Sequence, residues 1–278
     1  MPFVEYDAQP VLEQALADGR LHVSTDPAVL KRAHAVIIAI GTPIDGYMNP
    51  QIRLFLQSIH DLRPHLSPEQ LIVVRSTVYP RTTRQVARFL EEGGGAWDVA
   101  YCPERIAQGY AIRELASLPQ LVSGVTERAA ERAAALFGKI APSVITVSVE
   151  EAELAKLFTN AWRYVQFAVA NQFYMMAEGL DVDYERVRGA MTRGYGRAAS
   201  VPRAGFAAGP CLLKDTMQLA AFNQNNFLLG YASMMVNEGL PNFLVETLRR
   251  RRDLSRTRVG ILGMAFKGDV DDTRDSLS

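Results

Sequence analysis

The sequence of 278 residues has few cysteines and no excess of charge of either sign. Its 30 lysine and arginine residues balance its 30 aspartate and glutamate residues, so the overall charge favours neither nucleic acid nor a membrane surface as a partner. The two cysteines, Cys102 and Cys211, are too few for a disulfide-rich scaffold and too far apart for a CxxC zinc motif. We therefore expect a reducing, cytoplasmic environment.

Several enzyme and targeting motifs are also missing. The four histidines show neither HxxxH nor HExxH spacing, so no metal site is expected. Gly-x-Ser-x-Gly and Walker phosphate loops are absent. No basic and apolar leader opens the chain. The long charge-free stretch 216–237 is rich in amide side chains, which are unfavourable in lipid, and we interpret it as a buried helix.

The composition, 48% hydrophobic and 22% charged, is typical of a folded chain, and the length suggests about two domains. Within residues 1–147, unbroken and largely β-branched apolar runs alternate with helical stretches, a pattern typical of parallel strands buried on both faces. The predicted strands are 35–40, 71–74, 99–101 and 144–147, separated by helices at 50–62, 81–92 and 127–138. They predict an α/β doubly wound parallel sheet.

Polar residues follow three of these strands, where ligands bind in such sheets. The three segments are Gly41-Thr42-Pro43, Arg75-Ser76-Thr77 and Cys102-Pro103-Glu104. A carboxylate at the carboxyl end of a strand is a candidate general base, and we consider Glu104 for that role. The alternative is a surface glutamate without a function. Cys102 is interpreted as structural.

From residue 150 the pattern becomes that of an all-helical domain. A long helix with an apolar face is predicted over 150–180. Because proline is favoured at the first helical position, a second helix is predicted to begin at Pro210 and a third to run from Pro241 to about Arg251. A final apolar run, 258–267, predicts the first strand of a second α/β domain.

Cys211 is the candidate nucleophile of the helical domain. In the first turn of a helix its thiolate would be favoured by the helix dipole and by Lys214. The alternative is a small, buried core cysteine.

Lys156 and Asn160 share one helix face at i,i+4 spacing, and together could stabilise an oxyanion or bind sugar hydroxyls. The alternatives are a solvated polar stripe, or ion pairing of Lys156 with Glu151 or Glu153.

The order of these motifs resembles the UDP-glucose/GDP-mannose dehydrogenase family of nucleotide-sugar dehydrogenases, from near residue 1 to residue 278. The motifs are Gly41-Thr42-Pro43, Ser76-Thr77-Val78, Pro103-Glu104, Lys156-x-x-x-Asn160, Cys211-x-x-Lys214-Asp215, Phe266-Lys267 and Asp271-Asp272-x-Arg274. The resemblance implies NAD-dependent oxidation of the C6 alcohol of a nucleotide-linked sugar to a carboxylate, through a thiohemiacetal and a thioester on the enzyme.

The resemblance also implies roles for individual residues. Cys211 would be the nucleophile. Lys156 and Asn160 would contact the substrate and stabilise the oxyanion. Asp215, Glu104 and Thr77 would position or activate water. The cofactor contacts would be Thr42, Thr77, Glu104, Lys214 and Arg274. Lys267 would contact the substrate, a UDP-hexose or a UDP-N-acetylhexosamine.

The sequence also departs from the family, since it contains no GxGxxG and its segment before Cys211 reads Ala207-Ala208-Gly209. We predict a partial Rossmann-like NAD domain at 1–147, a helical central and dimerisation domain at 148–255, and the start of a C-terminal nucleotide-sugar domain at 256–278. The chain is thus expected to be shortened at both ends, and the expected partners are the nucleotide sugar and a second copy in a homodimer. A catalytically inactive remnant or dimerising module is one alternative. A relative of 3-hydroxyacid or 6-phosphogluconate dehydrogenases, which need no nucleophilic cysteine, is another.

Overall fold

The computed structural model describes residues 4–42, 44–45 and 50–278. Pro43, part of the first predicted strand-end motif, lies outside the described residues. Residues 1–157 and 158–278 form two compact units. The predicted division into three domains remains a prediction.

The first unit is built on a sheet in which five described strands follow one another in chain order. The strands are β1 (Ala35–Ile38), β2 (Leu71–Val74), β3 (Asp98–Tyr101), β4 (Gln120–Gly124) and β5 (Val144–Thr146). Neighbouring strands are parallel except β3 and β4, which are antiparallel. The α/β class and the four predicted strands are confirmed, whereas β4 was not predicted and the sheet is not wholly parallel.

Polar residues explain why β4 gives no apolar run. Gln120 and Ser123 are buried in it, and their side chains bond to neighbouring backbone. The Gln120 amide donates to the carbonyl of Pro103 (3.1 Å) and the Ser123 hydroxyl to that of Tyr101 (2.8 Å). A strand with satisfied buried polar side chains does not show the continuous hydrophobicity from which a buried strand is recognised.

The helices of the first unit are α1 (Ala8–Ala17), α2 (Ile52–Leu62), α3 (Thr82–Glu91), α4 (Ala111–Ser117) and α5 (Glu127–Phe137). Side chains of α2 and α3 share one buried cluster with the sheet, and side chains of α5 share another. On β2, Ile72 and Val74 belong to one buried cluster, and Leu71 and Val73 belong to another. Burial on both faces is the reason that this strand is apolar at every position.

The remaining helices are α6 (Val149–Gly179), α7 (Tyr184–Thr192), α8 (Leu212–Phe222) and α9 (Leu228–Arg251). The long predicted helix and the all-helical central region are confirmed. The predicted third helix is wrong at its start, because Pro241 lies inside α9. Because proline has no backbone N–H, it removes one hydrogen bond from a helix interior, but tertiary packing can outweigh this cost.

The charge-free stretch 216–237 was predicted to be a single helix, and this prediction is wrong. It is divided between α8 and α9 by a turn in which Gln224 and Asn225 have positive φ angles of 52° and 61°. The Asn225 N–H donates to the carbonyl of Ala220 at 2.8 Å and closes the end of α8. Asn is one of the residues that tolerate this left-handed conformation.

Residues 252–278 contain neither helix nor strand in the structure, so the predicted strand at 258–267 is wrong. A strand needs a neighbouring strand and a buried face to be stable, and Val259, Ile261 and Leu262 of this segment are exposed. Among the described residues, no helix combines the length and apolar character needed to cross a membrane.

A buried carboxylate on α6 caps the start of α3. Glu153 accepts hydrogen bonds from the N–H of Arg81 (2.6 Å), the N–H of Thr83 (2.9 Å) and the Thr83 hydroxyl (2.7 Å). Burial raises the pKa of Glu153, and the three donors only partly offset this. Both carboxylate oxygens of Glu153 therefore serve to cap α3, a structural role that the sequence did not suggest.

We expect Glu153→Ala to lower the free energy of unfolding by about 2–4 kcal/mol, because three donors lose their acceptor in a buried place. Urea denaturation followed by circular dichroism measures the change. The matched control is Glu131→Ala, which removes an exposed carboxylate of α5 and should change stability by less than about 0.5 kcal/mol. Equal effects of the two substitutions would contradict the capping role.

Candidate functional site

The buried carboxylate of Asp215, in the first turn of α8, binds two other predicted site residues, Asn160 and Lys214. Asp215 is 1% exposed. Its Oδ2 accepts a hydrogen bond from the Asn160 amide at 2.6 Å, and its Oδ1 accepts one from the Lys214 ammonium at 2.7 Å. The network fixes the orientation of the Asn160 amide and provides a counter-charge for the buried acid.

Cys211 occupies the N-cap position of α8, not the first turn as predicted, since the helix begins at Leu212. Its carbonyl accepts a hydrogen bond from the N–H of Asp215 at 2.9 Å, which links it to the buried acid. The Cys211 side chain is exposed, so the alternative of a buried core cysteine is wrong for this residue. An exposed thiol at a helix N-terminus can react with molecules that arrive from solvent.

The segment that contains Arg274 folds back on the approach to Cys211. The N–H of Gly209 donates to the carbonyl of Asp275 at 2.9 Å. Gly209 has a φ angle of +95°, and a Cβ there would lie 2.6 Å from the ring of Phe266. Both the backbone conformation and the aromatic contact therefore require glycine.

Arg274 is ion-paired with Asp272 at 2.6 Å. Hydrogen bonding to Asp272 raises the pKa of Arg274. Asp275, the next residue, accepts the hydrogen bond from Gly209, so Arg274 belongs to the segment that lies beside the approach to Cys211. Lys267, predicted to contact substrate, lies in the same returning segment, with its ammonium 6.0 Å from the centre of the Phe266 ring.

In the first unit, the ends of β1 and β2 are joined by their polar residues. The Thr42 hydroxyl donates to the carbonyl of Thr77 at 2.6 Å, and the Ser76 hydroxyl donates to the carbonyl of Ile40 at 2.7 Å. Thr42 and Thr77, both predicted to contact the cofactor, therefore meet at the carboxyl edge of two adjacent parallel strands. This edge is where doubly wound sheets bind their ligands.

Glu104 is held by an arginine that sequence reasoning did not select. Arg75 forms an ion pair with it and also donates to the carbonyl of Cys102 at 3.1 Å. The other carboxylate oxygen accepts from the N–H groups of Arg105 (2.6 Å) and Ile106 (2.7 Å). With both oxygens engaged, the Glu104 side chain is held in one orientation, an arrangement that suits positioning a ligand.

Lys156 is half-buried on α6, four residues before Asn160. Cys102 is fully buried, and this burial raises its pKa to about 12, which agrees with a structural cysteine. No three His, Cys, Asp or Glu side chains are grouped to hold a metal ion in the part of the chain that the structure describes.

Two family models match the chain. Residues 1–141 match the model described as the NAD binding domain of the UDP-glucose/GDP-mannose dehydrogenase family, and residues 150–238 match the central domain of the same family. The match to an NAD binding domain confirms NAD as the predicted cofactor. Matches to both domains favour this family over the hydroxyacid dehydrogenase alternative.

Individual relatives agree with the family models. A UDP-N-acetyl-D-mannosamine dehydrogenase of Methanocaldococcus jannaschii is 28% identical over 98% of the chain, which spans 63% of that relative. A UDP-glucose 6-dehydrogenase of Haloferax volcanii is 30% identical over 95% of the chain, which spans 66% of it. The solved structure of a UDP-D-ManNAc dehydrogenase from Pyrococcus horikoshii superposes with a TM-score of 0.90 at 29% identity, covering 99% of this chain and 68% of that one.

The two cysteines should differ in their reaction with thiol reagents. At about pH 8, iodoacetamide should alkylate Cys211, which is exposed, and leave Cys102, which is buried and protonated, unmodified until the chain is unfolded in urea. Peptide mass spectrometry with and without urea measures both sites, and Cys211→Ser controls for the assignment. Equal labelling of both cysteines in the folded chain would contradict the two environments described above.

Proposed function

Since the chain belongs to the UDP-glucose/GDP-mannose dehydrogenase family, we propose that it oxidises the C6 alcohol of a nucleotide-linked sugar to the uronate with NAD, through a thiohemiacetal and a thioester on Cys211. One observation carries the proposal: the exposed Cys211 thiol lies at the N-terminus of α8. This is the environment in which a cysteine is an effective nucleophile.

Cys211 divides the oxidation into two stages. Loss of a hydride and a proton first converts the C6 alcohol to an aldehyde. The Cys211 thiolate then adds to its C6 carbon, forming a C–S bond and placing negative charge on the former carbonyl oxygen. After oxidation to the thioester, water cleaves the C–S bond, which releases the carboxylate and regenerates the thiol. NAD⁺, when bound, supplies the hydride acceptor, and conversion of an alcohol to a carboxylate needs two of them.

Lys156 and Asn160 would stabilise the oxyanion that forms at C6. Support for Asn160 comes from its hydrogen bond to Asp215 at 2.6 Å, because an amide held in one orientation needs no rearrangement as the charge develops. Asp215, with Glu104 and Thr77, would orient the hydrolytic water. The Glu104 carboxylate, held in one orientation, suits positioning of the water.

The strand-end hydroxyls of Thr42 and Thr77 fit a dinucleotide, because they lie where parallel sheets bind such cofactors. We propose that these residues and Glu104 contact NAD. Lys214 and Arg274, both positively charged, would contact its negatively charged groups, and Lys267 would contact the substrate. The two free cysteines also support a cytoplasmic location, where thiols stay reduced.

For the substrate we propose a UDP-linked sugar, of the hexose or N-acetylhexosamine type. Relatives at similar identity are named as dehydrogenases of UDP-N-acetyl-D-mannosamine and of UDP-glucose. Their names agree in the nucleotide and differ in the sugar, so the nucleotide is the better supported part of the proposal.

Turnover tests the proposed reaction. We expect the chain to form NADH when supplied with NAD⁺ and one of a panel of UDP-hexoses and UDP-N-acetylhexosamines. Cys211→Ala should lower the rate by about a thousandfold or more, because the covalent stage is lost. Cys102→Ala, which changes a buried cysteine outside the site, is the matched control and should retain turnover. Undiminished turnover in Cys211→Ala would refute the covalent mechanism, and no NADH with any sugar would refute the activity of this chain.

We also propose that the chain forms a homodimer through α6. Apolar side chains at helical spacing are exposed along it, among them Phe158 (56% exposed), Trp162 (61%) and Met176 (59%). Exposed apolar stripes of this extent are commonly covered by a symmetry-related copy.

Trp162→Glu tests the dimer, because a charge in the covered stripe would be desolvated on association. We expect a dimer for the wild type and a monomer for this variant in sedimentation velocity. Leu16→Glu, which changes an exposed apolar residue of α1, is the matched control and should remain dimeric. A monomeric wild-type chain would overturn the proposal.

A further inference from the structure

A buried amide network joins α6 and α9 to the segment that leads to Cys211. The Asn171 side chain accepts a hydrogen bond from the N–H of Gly205 at 2.8 Å and donates one to the carbonyl of Gly205 at 3.0 Å. The same amide donates to the Asn237 side chain at 2.9 Å, and Asn237 donates to the carbonyl of Tyr164 at 3.0 Å. Asn171, Asn237 and Tyr164 are completely buried.

Tyr164 carries the network further towards the cysteine. It forms one buried cluster with Ala207 and Leu212, the residues four positions before and one position after Cys211. Its hydroxyl donates to the Glu238 carboxylate on α9 at 2.8 Å. The ring that supports Ala207 and Leu212 is therefore held both by its own hydroxyl and by the Asn237 amide at its backbone.

The segment between Gly205 and Leu212 is thus fixed at several points. Asn171 holds both backbone groups of Gly205, Tyr164 packs against Ala207, and Gly209 is bonded to Asp275. Each buried amide group that lost its partner would bear the full cost of desolvation, so the network is stable in one arrangement only.

We propose that Asn171 and Asn237 are positioning residues for Cys211, holding the 205–212 segment so that the thiol stays at the N-terminus of α8. The proposal deepens the proposed function, because it gives the reactivity of its nucleophile a structural source. Neither residue touches the thiol. They act through the backbone of Gly205 and through Tyr164.

The reactivity of the Cys211 thiol tests this role without sugar or NAD. We expect Asn171→Ala and Asn237→Ala each to slow alkylation of Cys211 by iodoacetamide at neutral pH by about tenfold, the equivalent of one buried hydrogen bond. The pH at which alkylation reaches half its maximum rate should also rise, since a displaced thiol loses the helix N-terminus. A network that only joined the helices would lower stability and leave this pH dependence unchanged.

Thr83→Val is the matched control. It removes a buried hydrogen bond, that of the Thr83 hydroxyl to Glu153, in the other compact unit, and should leave alkylation of Cys211 within about twofold of wild type. A rate and a pH profile unchanged in both asparagine variants would overturn the proposal.

Hydrogen exchange of the unaltered chain gives a second test if the variants fail to fold. The Gly205 amide should exchange as slowly as the amides in the middle of α8, and rapid exchange would overturn the proposal. Because alkylation and exchange need no turnover, the absence of NADH formation would count against the proposed function and leave both tests valid.

Discussion

The buried carboxylate of Asp215 is the constraint on which the candidate site depends. A carboxylate removed from water is costly unless charged or polar partners replace its hydration. Lys214 and Asn160 supply those partners at 2.7 and 2.6 Å, and this requirement fixes α8 against α6. Since the N–H of Asp215 also bonds to the carbonyl of Cys211, the position of the cysteine follows from the same requirement.

The first unit obeys the same rule at other acids. Burial alone would raise the pKa of Asp98, but hydrogen bonds from Arg132 and Arg128, at 2.5 and 2.8 Å, outweigh it and lower the pKa. Glu104 is paired with Arg75, and Glu153 is supplied with donors by the start of α3. The acids therefore locate the contacts between elements, while the apolar residues fill the space around them.

The sequence predicts those features whose signal is local. β2 was predicted to its last residue, because every position is apolar and both faces are buried. The order of the strand-end, α6 and α8 motifs was sufficient to predict the family. Features that depend on residues far along the chain were missed. The polar residues of β4 form hydrogen bonds with a neighbouring strand. Arg75 could be recognised as a partner of Glu104 only from the fold, which brings the two together. Asn171 likewise has a role only through Gly205, 34 positions later.

The two cysteines show how position in the fold decides chemistry. Cys102 follows strand β3 and Cys211 follows Pro210. The residue type alone does not distinguish the two. Cys102 ends in the core, where burial raises its pKa to about 12 and the thiolate needed for attack does not form at neutral pH. Cys211 follows Gly209, which turns with a positive φ, and lies exposed at a helix N-terminus. The side chain is the same in the two places, and only the second environment supplies the positive potential and the access to solvent that a nucleophile requires.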